Sequence, residues 1–133
     1  MKKILVIDDE ENFCSLVKLN LEHSTGWAVT TATNGAEGLS LARSLKPDII
    51  LLDLLMPDMS GYDVRRSLKS DPETKNIPII LLTALNVEES EIISQDCVDD
   101  YVVKPASVKK LKETIEKILG VVDKDNSGRN GSS

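Results

Sequence analysis

Residues 49–53 of the sequence read IILLD, which is four branched apolar residues followed by a single acid. Three further segments also end an apolar run with a polar residue: residues 4–8 read ILVID, residues 79–83 read IILLT and residues 101–104 read YVVK. Short apolar runs that each end in a polar residue are typical of the strands of an open α/β sheet, which gathers its functional groups at the carboxyl ends of its strands. We therefore expect a central parallel sheet whose strands lead into polar residues.

Segments with helical periodicity separate the apolar runs, and this alternation predicts βαβ units. We expect an α/β fold in which right-handed crossovers place five helices on the two faces of a doubly wound, five-stranded sheet. The predicted strands lie at about residues 3–8, 27–32, 48–53, 78–83 and 100–103.

The first and last helices have the clearest amphipathic pattern. The first is predicted at about residues 10–23, and the last at about 107–119 with Ser107 as its N-cap. The apolar stripe of the first helix is predicted to consist of Phe13, Leu16, Val17 and Leu21. That of the last helix is predicted to consist of Val108, Leu111, Ile115, Ile118 and Leu119, with lysines on the opposite side.

The composition is typical of one globular domain, with 133 residues of which 41% are hydrophobic and 29% charged. The formal net charge of −6 does not favour a nucleic-acid-binding surface, so we expect no direct contact with nucleic acid. We expect one domain over residues 1–120. Residues 121–133 lose the apolar periodicity and collect Gly, Ser and Asn, which predicts a flexible C-terminal tail or linker.

Two features of the sequence bear on where in the cell the protein is expected: its apolar runs are short, and it has two cysteines. No run of 18 apolar residues is present, so we expect no membrane span. Cys14 and Cys97 have no CxxC or metal-ligand spacing, which suits a reducing compartment and predicts a cytoplasmic protein. Both cysteines are expected to be small buried hydrophobes or inert thiols, with a regulatory disulfide as the alternative.

Polar residues at the strand ends are expected to form one chemical site. They are the pair Asp8 and Asp9, then Asp53, Thr83 and Lys104. The carboxyl ends of parallel strands meet at one edge of a sheet. Carboxylates ~4–5 Å apart repel by roughly 3–4 kcal/mol at an effective dielectric of about 20, so a cation is needed between them. Oxygen ligands of this kind favour Mg²⁺.

With their neighbours, these positions resemble the receiver domain of response regulators, the phosphoacceptor half of two-component signalling. The matching segments are VIDDE at 6–10, DLLMPDMSG at 53–61, LTA at 82–84 and DDYVVKP at 99–105. One such motif alone is a weak indication of a receiver domain. All four motifs in this order, over roughly residues 2–120, are a strong one. The resemblance implies a flavodoxin-like fold, similar to that of chemotaxis receivers, with strand order 2-1-3-4-5.

The resemblance also implies what the acids do. Asp53 would accept a phosphoryl group from a histidine kinase or a phosphotransfer protein. Asp9 and Asp53, with the backbone carbonyl of Leu55, would bind Mg²⁺, while Asp8 would act mainly through a coordinated water. On this basis the chain is a phosphorelay signalling protein and not an enzyme.

Three residues of the last two strands would contact the phosphoryl group and transmit the signal. The Thr83 hydroxyl and the Lys104 ammonium would bind phosphoryl oxygens. Tyr101 would swing inward as Thr83 moves, and this would change the surface of the predicted fourth helix, fifth strand and fifth helix. That surface would bind a downstream effector protein or domain, or pair two copies of the chain as a homodimer.

The lifetime of the phosphorylated state would depend on two apolar residues. Leu55 and Leu85 lie two residues beyond Asp53 and Thr83, and neither can hold the attacking water by a hydrogen bond. The sequence therefore predicts slow self-dephosphorylation. The chain is interpreted either as a stand-alone receiver or as part of a longer regulator.

Other interpretations of the motifs have less support. An enzyme of the haloacid-dehalogenase type needs a second acid two residues after its nucleophile, where this chain has Leu55. An interaction module that works without phosphorylation would be expected to lose one of the acids or the lysine. Residues 123–128 read DKDNSG and resemble the start of a calcium-binding loop, but the sequence ends before the bidentate glutamate of such a loop.

Overall fold

The computed structural model describes residues 1–83, 100–103 and 107–120, with the backbone alone for residues 83 and 100–103. The strands in this part are β1 (Lys3–Ile7), β2 (Ala28–Ala32), β3 (Ile49–Asp53), β4 (Ile79–Thr83) and β5 (Asp100–Val103). The helices are α1 (Glu11–Thr25), α2 (Gly35–Leu45), α3 (Gly61–Ser70) and α4 (Val108–Leu119). The helix called α4 is the fifth predicted helix, because the predicted fourth helix and the predicted tail lie outside the described residues.

The five strands form one parallel sheet in the order β2-β1-β3-β4-β5. β3 lies at the centre, where Ile50 pairs with Leu5 of β1 on one side and with Ile79 of β4 on the other. This confirms the predicted α/β sheet and its strand order. Because all strands run in the same direction, the residues at their carboxyl ends meet at one edge.

Alternate strand residues pack into two separate cores, one on each face of the sheet. Ile4 and Val6 of β1 lie in the core that contains residues of α1 and α4. Leu5 and Ile7 lie in the other core, with residues of α2 and α3. Every residue of β3 is buried, since helices cover both of its faces. This double cover explains why the strand sequences show no alternation of polar and apolar residues.

The apolar stripe of α1 differs from the prediction at one residue. Val17 and Leu21 are buried and Phe13 packs against the core, but Leu16 is 53% exposed. Cys14 is buried there instead, which confirms the interpretation of this cysteine as a small core residue. The assignment of Leu16 to the stripe was wrong, because the helix meets the sheet through positions 14, 17 and 21, which are three and four residues apart.

Side-chain and glycine caps define the helix ends. The side chains of Asn34, Ser60 and Ser107 each accept a backbone N–H in the first turn of the following helix, which confirms the N-cap predicted at Ser107. α1 and α4 end at Gly26 and Gly120, whose φ angles of 79° and 69° lie in the left-handed region that glycine adopts without strain. Among the described residues, no helix is both long enough and apolar enough to cross a membrane.

The outer edge of β2 is covered at Val29 by two side chains of α1. The backbone N–H of Ala28 points toward β1, because it donates to the carbonyl of Lys2. The backbone N–H and carbonyl of the next residue, Val29, therefore point away from β1, toward the outer edge of the sheet. The Val29 N–H donates to Glu22 Oε2 at 3.0 Å, and its carbonyl accepts from Lys18 Nζ at 2.7 Å. Lys18 and Glu22 are also 3.0 Å apart as an ion pair. Both backbone groups of Val29 are therefore satisfied without another strand.

This arrangement predicts an acid-sensitive contribution to stability. The pKa of Glu22 is lowered, first by the Val29 N–H and then by the hydrogen bond from Lys18. A carboxylate with a lowered pKa stabilises the fold at pH above its unfolded value, and this contribution is lost as pH falls through the folded value. We expect the parent to lose more unfolding free energy than Glu22→Gln between about pH 6 and about pH 3, as measured by urea denaturation. Glu113→Gln, at an exposed position in the middle of α4, is the control and should lose as much as the parent; equal losses in parent and Glu22→Gln would contradict the assignment.

Candidate functional site

Two acids lie side by side at the carboxyl edge of the sheet. Asp53 is the last residue of β3, and Asp8 directly follows β1. Ile7 pairs with Leu52, so the residues that come next, Asp8 and Asp53, are at the same height. Their relative exposures are 0% and 5%. Buried acids are rare in protein cores, and a buried pair of this kind is typical of a functional site.

Asp9 completes an acidic cluster with these two residues. One carboxylate oxygen from each of Asp8, Asp9 and Asp53 lies within 4.8 Å of the other two. Such charges repel by roughly 3–4 kcal/mol per pair at an effective dielectric of about 20, and a divalent cation relieves the repulsion. Mg²⁺ binds through a few carboxylates and keeps several waters, so this donor set fits it. The structure thus brings the three predicted acids together in a cluster that could hold a metal ion.

Backbone groups orient the two buried carboxylates. Asp8 Oδ1 accepts the N–H of Glu10 at 2.9 Å, and Asp53 Oδ1 accepts the N–H of Leu55 at 3.3 Å. The thiol of Cys14 donates to the backbone carbonyl of Asp8 at 3.3 Å. Each acid is therefore held by the chain that follows it.

Gly61 brings the start of α3 against the backbone of Asp53. Its N–H donates to the carbonyl of Leu54 at 2.8 Å. A Cβ atom at this position would lie 2.3 Å from the carbonyl oxygen of Asp53 and 2.6 Å from the Cα of Leu54. Only glycine permits so close an approach. The loop of residues 54–60, which follows Asp53, is therefore anchored at its end as well as at its beginning.

The remaining predicted site residues are described only in part. Thr83 ends β4 one residue after Leu82, the partner of Asp53, so its backbone lies at the same edge. Tyr101 lies within β5. Lys104 follows Val103, the partner of Thr83, but is itself outside the described residues, as is Leu85. The roles of these four side chains stay predictions.

One contact at this edge was not identified from the sequence. Asp58 Oδ2 accepts the N–H of Gly35 at 3.0 Å, which joins the loop after β3 to the first turn of α2. The two residues are 23 positions apart, so no local pattern relates them. An acid in a loop and a glycine at a helix start are each too common in sequences to indicate that the two residues meet.

The fold and the site together define a flavodoxin-like α/β protein with an acidic, metal-compatible cluster at the carboxyl ends of its first and third strands. Comparison with known proteins identifies the family within this class. The family model for the response regulator receiver domain matches residues 4–116, and the chain belongs to this family. Receiver domains are the phosphorylation-based signalling domains of two-component systems, and they generally bind Mg²⁺ through acidic residues.

Individual relatives agree with this assignment. The chain is 38% identical over 125 residues, 93% of its length, to the DNA-binding dual master transcriptional regulator RpaA of Synechocystis sp., of which it covers 52%. It is 37% identical to the polar-differentiation response regulator DivK of Brucella anthropi, with 90% of this chain and 97% of DivK covered. The chain thus spans about half the length of the curated transcriptional regulators that it matches and nearly all of DivK.

A solved structure shows the same fold. The chemotaxis protein CheY4 of Vibrio cholerae superposes with a TM-score of 0.82 at 28% identity, covering 90% of this chain and 99% of CheY4. The resemblance to receivers of the chemotaxis type that the sequence predicted is therefore confirmed at the level of family and fold.

Proposed function

We propose that the chain is a phosphoacceptor whose Asp53 takes a phosphoryl group, in the presence of Mg²⁺, from a histidine kinase or a phosphotransfer protein. The observation that carries this proposal is the cluster in which carboxylate oxygens of Asp8, Asp9 and Asp53 lie within 4.8 Å of one another. Asp53 is 5% exposed and ends the central strand. A nucleophile in that place is held rigidly but remains at the edge of the sheet, where a donor can approach it.

The transfer proposed for Asp53 is a direct displacement at phosphorus. A carboxylate oxygen of Asp53 forms the new oxygen–phosphorus bond as the nitrogen–phosphorus bond of a phosphohistidine breaks, and the histidine nitrogen keeps the bonding electron pair and takes up a proton. The Leu55 N–H, which donates to Asp53 Oδ1, helps to hold the carboxylate in line for this attack. Thr83 would donate its hydroxyl to the phosphoryl group, and Lys104 would place its ammonium beside a phosphoryl oxygen.

The same acids would hold the metal. Asp9, Asp53 and the backbone carbonyl of Leu55 would be direct ligands of Mg²⁺, and Asp8, which is fully buried, would hold a coordinated water. When bound, the ion neutralises the charge that would otherwise oppose the approach of a phosphoryl group to three carboxylates. The N–H of Glu10, which donates to Asp8 Oδ1, limits the positions that this carboxylate can adopt.

The proposed output depends on the last part of the domain. Phosphorylation would shift Thr83 and Tyr101 and change the surface formed by the predicted fourth helix, β5 and α4. That surface would bind an effector protein or an effector domain, or would pair two chains. Within this proposal, residues 1–120 act as the receiver in the cytoplasm and residues 121–133 as a tail or linker. Leu55, which lies two residues beyond Asp53 and is 63% exposed, would contribute to slow self-dephosphorylation.

Metal binding should be visible as a gain in stability. At ~100 times its dissociation constant, Mg²⁺ should raise the free energy of unfolding by roughly 2.7 kcal/mol, because it binds the folded cluster alone. Asp9→Asn should lose most of this gain, whereas Asp63→Asn, which removes an exposed carboxylate on α3, should keep it. Urea denaturation with and without Mg²⁺ measures the difference. Equal gains for Asp9→Asn and the parent would remove Asp9 from the ligand set.

The proposed function is tested by incubating the chain with acetyl phosphate, a small donor that needs no partner protein. Intact-mass spectrometry should find one added phosphoryl group in the presence of Mg²⁺ and none when a chelator has removed the metal. Labelling that is independent of Mg²⁺, or that reaches several groups per chain, would contradict the proposal.

A further inference from the structure

We propose that Asp58 is a positioning residue for the metal site: its hydrogen bond to Gly35 holds the loop of residues 54–60 in the shape that Mg²⁺ requires. This inference rests on the proposed function, since it assumes that the Leu55 carbonyl of this loop is a metal ligand. Asp58 itself is exposed and is not among the acids that cluster around Asp53. It would act through the backbone of its loop.

The hydrogen bond to Gly35 is of a strong kind. Gly35 is the first residue of α2, so its N–H has no acceptor within the helix. Asp58 Oδ2 accepts this N–H at 3.0 Å, while the Asn34 side chain accepts the N–H of Glu37 at 2.8 Å. A carboxylate at the positive end of a helix gains from both the charge-assisted bond and the helix dipole. The middle of the loop is therefore attached to a rigid element.

Close packing at α2 adds to this attachment. A Cβ atom on Gly35 would lie 3.0 Å from the Cβ of Met59, the residue after Asp58. One turn further along the helix, a Cβ atom on Gly38 would lie 2.6 Å from the Cδ1 of Ile7, the residue before Asp8. The first turns of α2 thus pack against the segments that carry both Asp8 and Asp53. The start of α2 therefore contacts the loop that carries the Leu55 carbonyl as well as the strand that precedes Asp8.

Loss of the Asp58 contact would leave the middle of the loop less constrained. The loop begins at the buried Leu54 and ends at Gly61, whose N–H is bonded to the Leu54 carbonyl. Between these points, the Asp58 side chain makes its hydrogen bond to α2. Mg²⁺ demands near-ideal octahedral geometry, so a small displacement of one ligand lowers its affinity. Groups that orient a metal ligand without touching the metal change affinity by about 10-fold to 100-fold when removed.

The experiment measures Mg²⁺ binding directly, by isothermal titration calorimetry well below the unfolding temperature. We expect Asp58→Ala to weaken Mg²⁺ binding by roughly tenfold. Asp58→Asn should stay near the parent affinity, because the amide oxygen can still accept the Gly35 N–H. Asp63→Ala also removes one exposed carboxylate, but from α3, and should bind as the parent does. Asp58→Leu, similar in size to the asparagine variant but without an acceptor, serves if the alanine variant does not fold.

Each outcome bears on the inference. Weakening in Asp58→Ala or Asp58→Leu, with binding near that of the parent in Asp58→Asn and Asp63→Ala, supports a positioning role through the hydrogen bond. Equal weakening in Asp58→Asn and Asp58→Ala, or in Asp63→Ala, would assign the effect to net charge and overturn the inference. So would parent-like affinity in Asp58→Ala. If the parent itself does not bind Mg²⁺, the proposed metal site fails and this inference fails with it.

Discussion

Replacing Asp53 by asparagine should abolish phosphorylation of the chain by acetyl phosphate. In the parent, Asp53 Oδ1 accepts the Leu55 N–H at 3.3 Å. The asparagine amide has the same size and still has an oxygen that can accept this N–H, so the fold should persist. It lacks the anionic oxygen that attacks phosphorus. Intact-mass spectrometry after incubation with Mg²⁺ and the donor measures the number of phosphoryl groups, which should fall from one to none.

The matched control for this prediction is Asp63→Asn, which makes the same chemical change at an exposed position of α3. It should be phosphorylated as the parent is. Undiminished labelling of Asp53→Asn would show that another group accepts the phosphoryl group. Because the carboxylates of Asp8 and Asp9 lie in the same cluster, they would then be the first residues to test.

Gly61→Ala should be among the most destabilising single-methyl changes in the chain. The added Cβ would lie 2.3 Å from the Asp53 carbonyl oxygen and 2.6 Å from the Leu54 Cα, and these backbone atoms cannot rotate away as a flexible side chain could. Overpacking of this kind costs typically about 1–3 kcal/mol, and we expect about 3 kcal/mol here. Urea denaturation measures the loss, and phosphorylation of the folded fraction should also slow, because α3 can make room only by moving away from Asp53.

Gly26→Ala provides a contrast for Gly61→Ala. Gly26 has a φ of 79° but no heavy atom within 4 Å of a Cβ built on it. Its substitution should therefore cost about 1 kcal/mol for the left-handed backbone, with no effect on phosphorylation. If Gly61→Ala loses no more unfolding free energy than Gly26→Ala, the start of α3 is not packed against the Asp53 backbone as tightly as the distances indicate.

Much of the fold could be predicted because each strand is an unbroken apolar run. The run at residues 49–53 is buried on both faces, and its neighbours in the sheet are the runs at 4–8 and 79–83. Parallel strands then bring Asp8 and Asp53 to the same edge of the sheet whatever the details of the helices. The convergence of the acids on this edge was thus predictable from the sequence pattern, whereas the adjacency of Asp8 and Asp53 depends on the strand order, which was inferred from the family resemblance.

The sequence predictions were wrong or incomplete where tertiary contacts decide which residues are buried and which residues meet. Leu16 fits an apolar stripe by spacing, but the angle at which α1 meets the sheet leaves it 53% exposed and buries Cys14. The bond from Gly35 to Asp58 depends on the path of a loop, which has no periodicity to read. The positions of the Thr83, Tyr101 and Lys104 side chains belong to parts of the chain for which the structure offers no test.

The way in which α1 covers β2 has a consequence for how the chain behaves at high concentration. An uncovered outer strand is a template on which another polypeptide can add a strand, and sheets that grow in this way lead to aggregates. At Val29 the N–H and the carbonyl are already bonded to Glu22 and Lys18. An incoming strand would have to displace a charged pair before it could bond there. Two side chains of the first helix thus oppose the addition of a strand at Val29, and this protection weakens in acid as Glu22 is protonated.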